Sequence, residues 1–333
     1  MKGSVEKNGK IIAGKESTME SKVFEENKKV LGANVIVSDM TAEMSNSDSI
    51  FQKKVRVKDG IAQVLINICA LFSILLLVGI TAYVFYHGIG VLSWEFLTTV
   101  PRIMDDTFGI AGNIVNTIYL IVITLLIVTP IGVGAAIYLN EYARPGKIVR
   151  IIEFTTETLS GIPSIIFGLF GMVVFGSVFG YSIISGAITL ALMVLPLITR
   201  NTQEALKTVP DSYRIGALGM GAEKWYLIRT ILLPSAMPGI VTGIVLAIGR
   251  IVGESAALLF TAGSAQSLPF FGQYGEGLIE KIAQPGGSLT IQLYFSMSNA
   301  EYEQAFGIAT VLLIIVFVIN YITKIVAKRL QTD

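Results

Sequence analysis

The sequence predicts an all-α, polytopic membrane protein with about six transmembrane helices. Three observations carry that prediction. Of 333 residues, 53% are hydrophobic and only 15% charged, and mean hydropathy is +0.68; a soluble domain is nearer one-quarter charged. Six apolar runs reach or approach the roughly 20 residues that cross a bilayer as a helix. Lysine and arginine fall almost wholly on one set of connecting segments, the asymmetry that sets orientation in a membrane.

Residues 1–55 form a polar stretch of mixed charge ("GKESTMESKVFEENKK", "TAEMSNSDS"). Its longest apolar run, within Val30–Val37, is too short for a secretory core, so it reads as a disordered cytoplasmic tail. Residues 56–110 hold the first span, Ile61–His87, and an outer loop, Gly88–Gly112, with Trp94, Pro101, Asp105 and Asp106. Residues 111–326 form a core of five further spans: Ile114–Leu139, Ile162–Phe179, Tyr181–Thr199, Ala236–Ala262 and Phe306–Val326. The Ile162–Phe179 run is short, and its polar lead-in "EFTTETLSG" is expected to continue the same helix. Pro163, in "SGIPS", removes a backbone donor there. Gly161 and Pro163 are therefore a candidate hinge, or a kink that only shapes packing. A polar loop over about 200–234 joins the fourth and fifth spans, and Gly263–Gln304 is a long outer segment. Within it "SLTIQLYFSM" is too short to span and reads as a re-entrant or interfacial piece. Residues 327–333 are a short tail.

With the N-terminus inside, the inner flanks carry Lys53, Lys54, Arg56 and Lys58, then Arg144, Lys147 and Arg150. They also carry Arg200, Lys207, Arg214, Lys224 and Arg229, and finally Lys324, Lys328 and Arg329. The outer side has only Arg102 and Lys281. Both termini are expected in the cytoplasm of a multi-pass cell-membrane protein.

Several function classes are excluded early. A net charge of +1 gives no reason to expect nucleic acid. Cys69, alone in an apolar run, offers no intrachain disulfide. With His87 the single histidine, a His/Cys zinc site or a Ser/His/Asp enzyme is not expected. No phosphate-binding loop of the form G-x-x-x-x-G-K-[ST] occurs; "AGKES" and "NGKII" both fail the pattern.

Two charges inside the fifth span ask for a reason. Arg250 and Glu254 lie in "LAIGRIVGESAALLF", and each costs roughly 2.5–3.5 kcal/mol at bilayer depth. In one continuous helix they stand a turn apart on one face. Arg250 then falls roughly 18 Å beyond Pro238, near mid-membrane. Its planar fork of donors suits an oxyanion, with Glu254 as counter-charge. The alternative is a buried pair that only registers helices. Gly239 with Gly243, and Gly249 with Gly253, let neighbouring helices approach closely. Arg200, at the inner end of the fourth span, is a candidate for the path's exit or an ordinary inner anchor, with Thr199 and Asn201 as weaker companions. Asn113 and Asn116 open the second span as entrance residues or helix caps. Glu153 and Glu157 suit a helix start and receive no transport role.

The 200–234 loop carries the strongest pattern. In "DSYRIGALGMGAEKWYLIRTILLPSAMPG", Gly216 and Ala217 precede Gly221, and nine residues separate Gly221 from Ile231, with Leu233 and Pro234 following. That spacing resembles the E-A-A loop of ATP-driven importer permeases, with Ile215 in place of the leading Glu. A short helix over about Ser212–Met220 is expected, small along the Gly216, Ala217 and Gly219 face so that another protein's cleft can reach its backbone. Gly221 would end it in the left-handed region. An ordinary amphipathic interfacial helix is the plainer alternative.

Together with "NEYARPGKIVRIIEF", "GIPSIIFGLFG", "LPLITRNTQEALKTVP", "ILLPSAMPGIVTGIVLAIGR" and "GESAALLFTAG", the chain from about Ile61 to Leu330 resembles the phosphate-specific transport permeases of PstA type. Ser255 stands for the usual Thr and Ala257 for the usual Pro, which should leave the fifth span less kinked there. The resemblance implies the fold of a type I ABC importer permease and transport of inorganic phosphate. It implies a PstC-type sister permease, an ATPase dimer, an extracytoplasmic phosphate-binding protein, and a PhoU-type regulator with a sensor kinase. Membrane lipid is the remaining partner. It implies no cofactor on this chain, with ATP and magnesium on the partner ATPase. Alternatives are a permease for sulfate or molybdate and an ion-gradient transporter, although no internal repeat supports the latter.

Overall fold

The computed structural model describes residues 57–101, 108–144, 146–268, 277 and 279–330. The tail expected over 1–55, and Asp105 with Asp106, lie outside the described residues. Among those described there is no strand. The chain divides into two compact units at Leu76–Leu77. The described part of the first is the opening of helix α1, Val57–Gly88, where Ser73 Oγ donates to Cys69 O.

In the second unit, α2 (Trp94–Thr98) is capped by Ser93, whose hydroxyl accepts from Phe96 N. Helix α3, Ala111–Ile137, runs on through a π-turn at Tyr138–Tyr142. Then come α4 (Lys147–Ser160), α5 (Ser164–Val174), α6 (Gly176–Phe179) and α7 (Ile183–Lys207). A short α8 (Asp211–Gly219) and α9 (Lys224–Leu227) lead through a second π-turn, Ile228–Leu232, into α10 (Leu233–Val252). The chain closes with α11 (Ala256–Thr261), α12 (Leu289–Ser298) and α13 (Tyr302–Leu330). Five helices are long and apolar enough to cross a membrane, and the bent α4–α5 pair would make a sixth.

Helix α7 is the centre of the second unit. It is apolar around most of its circumference and packs against α3, α10, α5, α4 and α11. Ile183, Leu190, Val194 and Ile198 are fully buried in a core with Leu120 and Val128 of α3 and Ala247 and Ile251 of α10. Close approach explains the small residues on its partners. A Cβ on Gly132 would stand 2.8 Å from Ile198 Cγ2, and one on Gly239 2.5 Å from Ala205 Cβ. Gly243 faces Asn201 in the same way. The Gly239/Gly243 stripe is thus a helix contact; by contrast a Cβ on Gly249 would meet nothing within 4 Å.

Two expected spans are broken. The lead-in to the third does not continue its helix: α4 and α5 meet at 104°. Pro163 has no N–H and sits in an extended conformation, φ −58 and ψ 138. The α4 ladder therefore ends by donation from Gly161 N to Thr158 O and from Ile162 N to Leu159 O. The fifth span is also discontinuous. Helix α10 stops at Val252, Gly253 caps it, and α11 begins at Ala256. The absence of proline at 257 was expected to straighten this region. Instead Ala257 keeps its N–H and donates it to Glu254 Oε1 at 3.1 Å, which starts a new helical turn.

Candidate functional site

A cavity of about 410 Å³ opens beside the C-terminal half of α7. Leu139 of the first π-turn, Glu153, Thr156, Glu157 and Ser160 of α4, Met193 to Lys207 along α7, and Arg250 of α10 form its wall. Arg200 and Arg250, placed on separate spans by the sequence, thus face one groove. Lys207 is the third cation, and Glu153, Glu157 and Glu204 are the carboxylates.

The charges are not evenly paired. Arg200 Nε lies 3.5 Å from Glu204 Oε1 and its Nη1 3.9 Å from Glu157 Oε1. These side chains are exposed, so such pairs contribute little to stability. Arg250 has no carboxylate within ion-pair distance among the described residues. The expected Arg250–Glu254 pair is not formed. The helix ends between them, so they do not share a face one turn apart. Glu254 caps α11 through its carboxylate, while its backbone carbonyl accepts from Thr290 Oγ1 at 2.8 Å. It does not line the groove. What remains is a guanidinium fork with open donor positions, next to a second arginine already countered by acids. That arrangement can take up an anion without first breaking an ion pair.

Asn201, a weaker sequence candidate, also lines the groove; its amide donates to Leu197 O at 2.8 Å. Thr199 is buried away from it. Glu153 and Glu157, which received no role from sequence, belong to the wall. Their signal was a polar stripe: Glu153, Glu157 and Ser160 recur at helical spacing on a helix whose Ile148, Ile151 and Phe154 are exposed on other positions. Gly161 and Pro163 form the break where α4, the groove's acidic wall, turns into α5. Asn113 and Asn116 neither cap a helix nor line this groove. They are buried, and their amides donate to Gly287 O and Ala265 O, tying the backbone around those two residues to α3.

The 200–234 loop is the second candidate element. Its helix spans Asp211–Gly219, and Gly221 ends it at φ +82, a left-handed conformation that favours glycine. Gly221 N and Ala222 N close the turn on Leu218 O and Ala217 O. Ala217 does not share the outward face expected of it. It is buried under α8 with Leu206, Val209, Leu227, Ile228 and Leu232. Gly216 and Gly219 face open space, beside the exposed Ile215, Leu218 and Met220. Ile231, Leu233 and Pro234 form the junction from the second π-turn into α10, with Ile231 and Leu233 half-buried. Trp225 and Tyr226 are exposed beside that junction.

One side chain here was counted in the sequence only as an inner cation. Arg214 is 18% exposed and Glu141, in the first π-turn, 7%. Arg214 Nη2 and Nε donate to Glu141 Oε1 at 3.0 and 3.3 Å, and Nη1 donates to Asp211 Oδ1 at 2.9 Å. The same fork reaches Leu206 O and Val209 O, each at 2.9 Å. Nothing in the local sequence marks Glu141, 73 residues away, as the partner.

Comparison with known proteins gives four concordant findings. A family model described as the binding-protein-dependent transport system inner membrane component matches residues 129–332. The probable ABC transporter permease protein YqgI of Bacillus subtilis is 35% identical over 274 residues, covering 80% of this chain and 93% of that protein. The phosphate transport system permease protein PstA of Yersinia pestis is 33% identical over 302 residues, covering 89% and 99%. Among solved structures, a bacterial alginate ABC transporter in complex with its pentasaccharide-bound periplasmic protein superposes with a TM-score of 0.60 at 14% identity, over 82% of this chain and 96% of the other.

Proposed function

The chain belongs to the inner membrane components of binding-protein-dependent transport systems, the permease subunits of ABC importers, and we propose that its cargo is inorganic phosphate, passed through the groove between Arg200 and Arg250. Membership makes it a multi-pass cytoplasmic-membrane protein and a transport subunit rather than an enzyme. It also implies an ATPase partner and a binding protein. The PstA relatives support phosphate as substrate. The observation that carries the reading is Arg250: a charged fork in the groove with no carboxylate partner among the described residues.

On this reading both termini and α8 lie in the cytoplasm, as the lysine and arginine distribution favours. The ATPase dimer, which holds ATP and magnesium, receives the exposed Gly216 and Gly219 face. Movement passes along the chain through the Ile228–Leu232 turn and Pro234 into α10, which carries Arg250. Phosphate arrives from the binding protein, exchanges hydration for the guanidinium donors of Arg250, and moves towards Arg200. There Glu204 and Glu157 compete for the same donors, which favours release. Gly161–Pro163 serves as the hinge of the acidic wall. The sister permease is of PstC type, and a PhoU-type regulator with a sensor kinase reads the supply.

The test is uptake of labelled phosphate by the full importer in proteoliposomes, with sulfate and molybdate as competitors. Phosphate alone should compete. Arg250→Lys keeps the charge and loses the fork. Normal phosphate uptake in that variant, with normal assembly, would sink the role given to Arg250, and competition by sulfate would move the substrate to another oxyanion.

A further inference from the structure

We propose that Arg214 is a positioning residue for transport, clasping α8 to the first π-turn through Glu141 so that movement of the loop reaches the groove through space as well as along the chain. The inference rests on the reading that α8 docks the ATPase, and extends it to residues that reading did not use.

Four observations support it. The Arg214 fork is nearly saturated, with Glu141, Asp211 and two backbone carbonyls as acceptors. Those acceptors come from α8 itself, from the end of α7 with the connection after it, and from the π-turn that continues α3. A second side-chain contact ties the next helix of the loop, α9, to the same π-turn, since Lys224 Nζ stands 4.9 Å over the Tyr142 ring. Glu141 shares its π-turn with Leu139, which lines the groove. A π-turn carries an extra residue per hydrogen-bonded ring and recurs at functional sites. A guanidinium buried at both ends of its ion pair is a stiff connector. A displacement of α8 therefore pulls on Glu141, and with it on the turn that places Leu139.

This route differs from the chain route in its output. The chain route moves α10 and Arg250. The clasp moves α3, which packs along α7, as α10 does, and also touches α10. Driving both together changes the groove from two walls at once. Asn140, whose Nδ2 donates to Glu141 Oε1 at 2.8 Å, holds that carboxylate oriented for Arg214.

The experiment uses the complete importer, reconstituted with its binding protein, and measures labelled phosphate imported per ATP hydrolysed. Glu141→Gln and Arg214→Gln should assemble and hydrolyse ATP, while the import ratio falls about fivefold or more, the lower range of coupling between sites. The double variant should be no worse than either single one, because one connection is lost in all three. An unchanged ratio overturns the proposal, as do losses that multiply in the double variant. Failure of both single variants to assemble would overturn it too, making the clasp part of the folded frame. Gly216→Trp tests the docking reading separately by blocking the exposed face of α8. If it expels the ATPase while the glutamine variants keep a normal ratio, the clasp fails alone. If the ATPase stays bound with normal hydrolysis, the docking reading fails and the clasp falls with it.

Discussion

Arg214 and Arg250 carry the same guanidinium into opposite surroundings. Arg214 is mostly buried, and carboxylates and backbone carbonyls fill its donor positions. Arg250 is exposed to the groove and has no carboxylate partner among the described residues. The difference teaches how to separate a connecting cation from one open to a ligand. A saturated fork is committed to joining the elements that hold its acceptors. An unsaturated one at the wall of a cavity has donors open to a ligand.

That contrast can be broken in four ways, from the largest expected effect to the smallest. Arg214→Ala leaves Glu141 buried without its partner, which should cost about 3 kcal/mol of stability. Arg250→Ala should change the same unfolding midpoint by no more than about 0.5 kcal/mol. Equal losses in a denaturant titration of the purified permease would erase the distinction. Arg250→Gln should lower phosphate uptake roughly 10- to 100-fold, the range for losing charged hydrogen bonds to a ligand, with assembly intact. Arg214→Gln affects the import ratio rather than binding, so a titration of uptake against phosphate separates the two arginines. Gly243→Leu forces atoms into the Asn201 contact, where a Cβ alone would stand 2.8 Å away. It should cost about 1–3 kcal/mol and disturb the α7–α10 wall, seen as a lower melting temperature. Glu254→Gln keeps an oxygen to accept from Ala257 N. It should change stability by less than about 1 kcal/mol and leave uptake near normal. A large uptake loss would restore Glu254 to the path.

Much of this was legible in the sequence because membrane helices write themselves in long apolar runs. Four of the five long helices fall where hydropathy placed them, and the fifth matches its expected span only as far as Val252. The loop helix and its Gly221 stop were legible because spacing and glycine chemistry are local. Arg250 was legible as a charge inside a span, where charges are costly, and Arg200 as a cation at the end of one. What failed was continuity. Hydropathy does not register a helix break when the residues on both sides are apolar, so Gly253–Ser255 passed as part of one span. The Arg250–Glu254 pair failed with it, because i,i+4 pairing presumes an unbroken helix. Glu141 was illegible for another reason: its role depends on a contact between distant segments, and no periodicity within either one encodes it.

The elbow between α4 and α5 has a consequence in leverage. At 104°, a slide of one arm along its own axis projects onto the other by only about a quarter of its length. The two arms are thus nearly decoupled in translation. The α5 arm is wedged in place: a Cβ on Gly168 would stand 2.7 Å from Ala257 Cα, and one on Gly171 2.2 Å from Thr189 Oγ1. The α4 arm, bearing Glu153 and Glu157, has no buried residue. The elbow thus joins a tightly keyed arm to a loosely seated one, and a push along either is poorly transmitted to the other.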